Sequence, residues 1–227
     1  MEQLLEQAEA FRAQKPGEDV DPSWTLLTGM KLPKSFVTKY EHPQAPVFTH
    51  MIDNNFPNLY EDDEIVIYMN AALPYVDAYP GCESRAAMSF LHLLICPKER
   101  IYNFKTLRKD GNDRYLLLNM RSTVEDLISC EDFMIDLEQS IIRQSFTYDE
   151  SQFGAFTVER RVKLLEALYE IRNIRKQQLF FCFHEHPNHS VGHLHMHCIL
   201  TTTLTDAYNL NSPKNVPLDA VLGRLRA

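Results

Sequence analysis

The 227-residue chain is 44% hydrophobic and 24% charged, with 13 Phe and 10 Tyr, a composition that excludes a disordered, collagen-like or coiled-coil chain. Its 23 Lys and Arg against 31 Asp and Glu leave a net charge of -8, so there is no global basic footprint for a nucleic-acid backbone or an anionic membrane surface. Only 7 glycines occur, and neither GxxxxGK[ST] nor GxGxxG is found, which removes the backbone phosphate cradles of triphosphate and dinucleotide folds.

The start, MEQLLEQAEAF, has Leu4, Leu5, Ala8 and Phe11 at helical spacing, and Pro16-Gly17 breaks the pattern; a short amphipathic helix that packs as an accessory is predicted. It lacks a basic n-region, and no 18-residue apolar run follows anywhere, so no membrane partner is expected. Residues 23–46 carry prolines and mixed polarity and read as irregular. Residues 64–70 (EIVIYMN) form a β-branched and aromatic strand after the acidic turn YEDD, and residues 89–96 (SFLHLLIC) form another, closed by Pro97. Two helices are predicted between 112 and 146, the second with Leu127, Cys130, Met134, Leu137 and Ile141 on one stripe. Thr157 caps a further helix to about residue 176, whose stripe Val162, Leu165, Tyr169 and Arg172 is expected to pack on a sheet. LFFCFHEH and VGHLHMHCIL then read as an antiparallel pair of strands with a short connection. The acidic YEDDE is expected to be a solvated turn, and Lys98 and Arg100 surface charges.

Five cysteines (Cys82, Cys96, Cys130, Cys182, Cys198) are odd in number, widely spaced and without CxxC, which suggests neither a disulfide framework nor a four-cysteine zinc site. Cys96, Cys182 and Cys198 lie in apolar runs and read as buried thiols in a reducing compartment. A cytoplasmic location is expected, with the nucleus also open.

Six of the 9 histidines fall between His184 and His197. His193, His195 and His197 alternate with Leu194, Met196 and Cys198, so in a strand the imidazoles share one face and the apolar residues pack on the core. A metal site competes with nucleophilic catalysis here, but His193 and His197 would have Cα atoms about 13 Å apart in an extended strand, too far for all three rings to meet one tetrahedral ion. No HExxH or cysteine ligand pair supports a metal. A neutral imidazole of His195 can instead attack phosphorus, provided that an acceptor holds its second ring nitrogen, while the neighbouring rings donate to phosphate oxygens and Ser190 delivers a hydroxyl.

HSVGHLHMHCI resembles the signature of the histidine triad (HIT) family, His-φ-His-φ-His-φ-φ, with φ an apolar residue. VFTHMIDNNFPNLYEDDEIVIYMN resembles that family's opening, and HLLICPKERI its second strand; the resemblance covers roughly residues 47–203. It implies an α+β domain with an antiparallel sheet of about five strands and packed helices, spanning 47–205 with insertions at 71–88 and 110–150, after an extension at 1–46 and before a tail at 206–227. It implies a homodimer without a cofactor or resident metal that acts on nucleotide α-phosphates through a covalent nucleotidyl-histidine. On the resemblance His195 is the nucleophile, His193 and His197 support it and bind phosphate, and Ser190 contacts the leaving group or a phosphate oxygen. His92 matches the histidine that opens the second strand. Met69 and Asn70 fall at the nucleotide, Asn70 where many relatives carry an Asp that holds the ribose. FHEHPNHSVGHLHMH places His184 at a phosphate contact ahead of the triad, with His186 as its rival. Phosphoramidase, dinucleoside-polyphosphate hydrolase, scavenger decapping and DNA-adenylate removal all remain open, as does a binding or scaffold protein with little turnover. The acidic charge favours a small nucleotide conjugate over a long nucleic acid, and the family favours an adenosine one.

Overall fold

The β-branched run after YEDD extends as expected. In the structure, a computed structural model that describes residues 2–14, 47–146, 156–184 and 193–226, this run is β2 (Ile65–Met69), preceded by the two-residue β1 (Tyr60–Glu61). Asp62 builds the turn between them, its Oδ1 accepting from the backbone N–H groups of Glu64 and Ile65 at 2.8 Å each. β3 (His92–Pro97) pairs with β2, and β5 (Met196–Leu200) lies between β3 and β4 (Leu179–His184). β6 (Asn215–Pro217) closes the far edge of β4. The order β1-β2-β3-β5-β4-β6 is antiparallel throughout, so the fold is α+β as expected, with six strands rather than about five. The sixth belongs to residues 206–226, for which a tail was expected.

The chain opens with helix α1 (Glu2–Ala13). Helix α2 (Val47–Asp53) starts the domain, and Asn55, at φ 49 in the left-handed region, turns the chain away just beyond it. The expectation for residues 23–46 lies outside the described residues. Helices α3 (Asn112–Leu127), α4 (Glu131–Phe146) and α5 (Val158–Arg172) follow, then α6 (Asp206–Asn211) and α7 (Leu218–Arg224). Strand alternation puts Ile67, Ile95, Phe183, Met196 and Cys198 on one face of the sheet, where α3, α4, α5 and α7 bury their own stripes, with Leu117, Leu137, Leu168 and Val221 among them. Val66, Tyr68, Leu94 and Cys96 point to the opposite face and meet Phe48 of α2. This second face carries the histidines.

Thr157 caps α5 as predicted, its hydroxyl accepting from the Arg160 N–H at 3.3 Å. The predicted stripe does not pack on the sheet, however. Val162, Leu165 and Tyr169 are 47%, 67% and 68% exposed, and Arg172 pairs with Glu138, whereas Leu164, Ala167, Leu168 and Ile171 are buried. Both stripes have helical spacing; the inner one is wholly aliphatic and buries without a hydroxyl or charge to satisfy, so it takes the core. No helix among the described residues is long and apolar enough to cross a membrane.

Candidate active site

Leu194, Met196 and Cys198 enter the main core, which turns His193, His195 and His197 onto the other face; the strand expected from residue 191 begins only at Met196, so His193 and His195 lie just before β5 and only His197 within it. That face is not solvated: the three rings are 1%, 8% and 4% exposed. Ring nitrogens buried this deeply need partners, and those partners set where each proton sits.

His193 has both nitrogens engaged. Its Nε2–H donates to the Pro97 carbonyl at 2.8 Å, and its Nδ1 accepts from the Thr49 hydroxyl at 2.8 Å. Phe11 of α1 meets the same ring edge-on, with centroids 6.1 Å apart. The expected packing helix therefore lies directly behind the first histidine. His195 Nδ1–H donates to the His193 carbonyl at 2.7 Å, which puts the lone pair on Nε2. Phe48 flanks this ring at 4.8 Å between centroids.

The proton on His197 is placed from further away. Asn70 Oδ1 accepts from the Ala72 N–H at 3.0 Å, which orients the amide so that Nδ2 donates to His92 Nδ1 at 2.8 Å. The Met88 N–H reaches the same nitrogen at 3.3 Å. His92 Nε2–H then donates to His197 Nδ1 at 2.9 Å, diagonally across the β3–β5 ladder. His197 consequently carries its hydrogen on Nε2, a buried donor with no partner among the described residues.

Electrostatics follow from burial. Desolvation pushes His92 down to about 3 and His193 and His195 down to about 4, from an ordinary 6.5. His197 is held well below the usual range, first by desolvation and then by the positive charge that His184, His195, His92 and Lys214 can bring. All four imidazoles are neutral at pH 7, so the Nε2 lone pair of His195 is present in full rather than in the fraction expected for an ordinary histidine.

Of the other residues singled out in the sequence, His184 stacks on His197 with ring centroids 4.0 Å apart. Met69 is half-buried against the main core and lines one small cavity with Asn70 and His92, while Asn70 has its amide turned inward to His92. Ser190 and His186 lie outside the described residues. Helix α4, in the region expected as an insertion, reaches the site through Gln144, whose amide donates to the carbonyls of Asn70 and Ala72 at 2.9 and 3.0 Å.

Arg100 is not a surface charge. It is 3% exposed and bonds Asp53 of α2 at 2.7 Å and Gln14, just after α1, at 3.0 Å. A buried guanidinium is stable only with such partners, and here it ties together the two helices that carry Phe11, Phe48 and Thr49. Sequence reasoning also missed Thr49 and the Pro97 carbonyl, since a single threonine in a short helix and a backbone oxygen carry no pattern. Lys98 pairs with Glu61 at 2.6 Å on the surface. Among the described residues no group of three or more His, Cys, Asp and Glu side chains could hold a metal ion, and all five thiols are free, Cys96, Cys182 and Cys198 buried.

No family model matches the chain, and no curated protein matches it. Solved structures similar to it include the aprataxin ortholog Hnt3 from Schizosaccharomyces pombe, at 15% identity and a TM-score of 0.42, over 79% of this chain and 71% of that one. A Hit-like protein involved in cell-cycle regulation from Bartonella henselae gives 14% identity and 0.34, over 78% and 94%. Hnt3 in complex with DNA and guanosine gives 16% and 0.33, over 79% and 76%. With TM-scores this low, the case for the site rests on the geometry of the chain itself.

Proposed function

We propose that the protein is a nucleotide hydrolase or transferase that cleaves at the α-phosphate of a nucleotide conjugate through a covalent nucleotidyl-His195. The observation that carries this reading is the 2.7 Å bond from His195 Nδ1–H to the His193 carbonyl, which directs the lone pair of a neutral imidazole to Nε2. Nε2 forms the N–P bond as the bond from phosphorus to the leaving group breaks and its electron pair departs with that group. Nδ1 keeps its hydrogen, so the adduct is a nucleotidyl-imidazolium whose charge the His193 carbonyl offsets. Water or another acceptor then attacks phosphorus, the N–P pair returns to Nε2, and the attacking oxygen releases its proton. His197 Nε2–H is the donor available to a phosphoryl oxygen or the departing atom. His193, with both nitrogens engaged, positions the carbonyl that orients His195.

The motif resemblance extends this reading to an adenosine-containing substrate, a homodimer, a hydroxyl from Ser190 and a phosphate contact from His184 or His186. Free thiols accord with a cytoplasmic location. The test is intact-protein mass after brief incubation with adenosine 5′-phosphoramidate or a dinucleoside polyphosphate, using native protein and the His197→Asn variant to slow the second step. An adduct of one nucleoside monophosphate is expected, absent in His195→Ala. Neither adduct nor product with any of these substrates would sink the reading.

A further inference from the structure

A helix of 12 residues is marginal in water on its own, so α1 depends on what it docks against. Among its described side chains the apolar contribution is small: Ala8 and Phe11 are buried, while Leu5 of the same predicted stripe is 43% exposed. Polar contacts supply much of the rest. The Arg12 guanidinium, its side chain 6% exposed, lies 2.6 Å from Glu99 and 2.7 Å from Asp113 of α3. Glu9 pairs with Arg108, and Gln14 accepts from Arg100 at 3.0 Å. Asp113 also accepts from the Arg108 backbone N–H at 2.5 Å, so one buried carboxylate anchors both arginines.

Two of these contacts fall on the segment 97–101, which also holds the first histidine. The Pro97 carbonyl accepts from His193 Nε2–H at 2.8 Å and the Ile101 carbonyl from the Leu194 N–H at 2.6 Å. Glu99 and Arg100, between them, reach Arg12 and Gln14. One short segment is thereby fixed to α1 on one side and to residues 193 and 194 on the other. Phe11 closes the same circuit directly, meeting the His193 ring edge-on with planes at 89°. The carbonyl of His193 is in turn the acceptor that orients His195, at 2.7 Å from its Nδ1. Truncating Phe11 opens space against the His193 ring, and a displacement of about 1 Å in a reacting group is enough to cost about 100-fold in rate.

We propose that Phe11 is a positioning residue for the reaction on His195: it fixes the His193 ring, and with it the carbonyl that orients His195, while the Arg12 clamp keeps Phe11 in place. Helix α1 is then a working part of the active site, contributed from outside the stretch that carries the family resemblance. The kinetic consequence rests on the reading of His195 as nucleophile; the bracing of His193 by Phe11 does not. An element with so few buried apolar side chains opens at lower free energy than the core, so loosening α1 lowers turnover while the sheet stays folded.

The experiment compares the full chain with its Phe11→Ala, Phe11→Leu and Arg12→Ala variants and with the Phe11→Ala/Arg12→Ala double variant. It takes kcat and KM on adenosine 5′-phosphoramidate and on a dinucleoside polyphosphate, with ¹⁵N-detected imidazole spectra of each protein. Phe11→Ala is expected to lower kcat by about 10-fold or more on both substrates with KM held within about twofold, and Phe11→Leu, which refills the space, to recover most of the loss. Arg12→Ala should reproduce the loss without touching a ring, and the double variant should be no worse than either single one, because both act through the same docked helix. Leu164→Ala, in the main core on the other face of the sheet, is the control for stability and should keep the native kcat wherever it remains folded. The His193 resonances should be one sharp set in the native protein and displaced or exchange-broadened in Phe11→Ala. Native kcat in Phe11→Ala, additive losses in the double variant, or an equal kcat loss in Leu164→Ala would overturn the proposal. If the native protein turns over neither substrate, the reading of His195 fails by itself and the spectra decide the brace: His193 resonances unchanged by Phe11→Ala would remove it too.

Discussion

His92 donates its Nε2 hydrogen to His197 Nδ1 at 2.9 Å, and the direction of that bond is set by Asn70, on neither histidine's strand. An amide nitrogen on His92 Nδ1 forces that nitrogen to accept, so the hydrogen must sit on Nε2 and the next ring must follow. Asn70→Asp would replace the donor with a carboxylate, which asks His92 for an Nδ1 hydrogen and turns its Nε2 into an acceptor. The expected outcome is a reversed pair of tautomers, with His197 changing from Nε2–H to Nδ1–H in ¹⁵N-detected imidazole spectra. Unchanged tautomers in the aspartate variant would contradict this ordering.

Thr49 supplies a hydroxyl to a fully buried ring nitrogen of His193. Thr49→Val is nearly isosteric but leaves that acceptor without its donor, at a cost of about 1–3 kcal/mol in denaturant unfolding. Thr49→Ser keeps the hydroxyl and should recover most of the loss. A valine variant as stable as the native protein would show that the bond contributes nothing net.

Acid should destabilise the protein earlier than its carboxylates alone would. Burial lowers the folded-state pKa of His92 to about 3 and of His193 and His195 to about 4, against 6.5 for an ordinary histidine. The unfolded chain binds more protons than the folded one between these values, so stability is complete above roughly pH 6.5 and is lost as pH falls toward 4. Each such histidine contributes up to about 1.4 kcal/mol per pH unit in that window. Denaturant midpoints measured from pH 7 to pH 5 should therefore fall steeply, and a flat profile would contradict neutral burial. Over the range in which the protein stays folded, kcat/KM should lack the acid limb near 6.5 that an exposed histidine nucleophile would show.

Leu164 and Leu165 are adjacent on α5, about 100° apart around its axis, and are 4% and 67% exposed. Leu164→Ala should cost about 2–5 kcal/mol through the cavity it leaves, and Leu165→Ala should stay within about 0.5 kcal/mol. Thermal melts of the two variants compare them directly. Equal costs would mean that the outer stripe of α5 is covered in solution.

Local pattern was enough to locate four of the six strands and the candidate site. The run IVIYM and the alternation of Leu194, Met196 and Cys198 with three histidines depend only on the two-residue period of a strand, so β2, β5 and the face of the triad were legible without any contact being known. On α5 the same kind of reading failed, because two apolar stripes satisfied the helical period and only the surface they met could choose between them. The buried state of Arg100 depended on Gln14 and Asp53, 86 and 47 residues away in the chain.

The sequence by itself determined that His193, His195 and His197 would alternate with residues of the core and share one side of the chain, while the strand expected to carry all three begins only at Met196. Tertiary structure alone decided which nitrogen of each ring carries the hydrogen. That choice belongs to the His193 carbonyl for His195, to Thr49 and Pro97 for His193, and to Asn70 acting through His92 for His197. An imidazole has two nearly equivalent tautomers, and only partners brought within hydrogen-bond distance by the folded sheet can separate them.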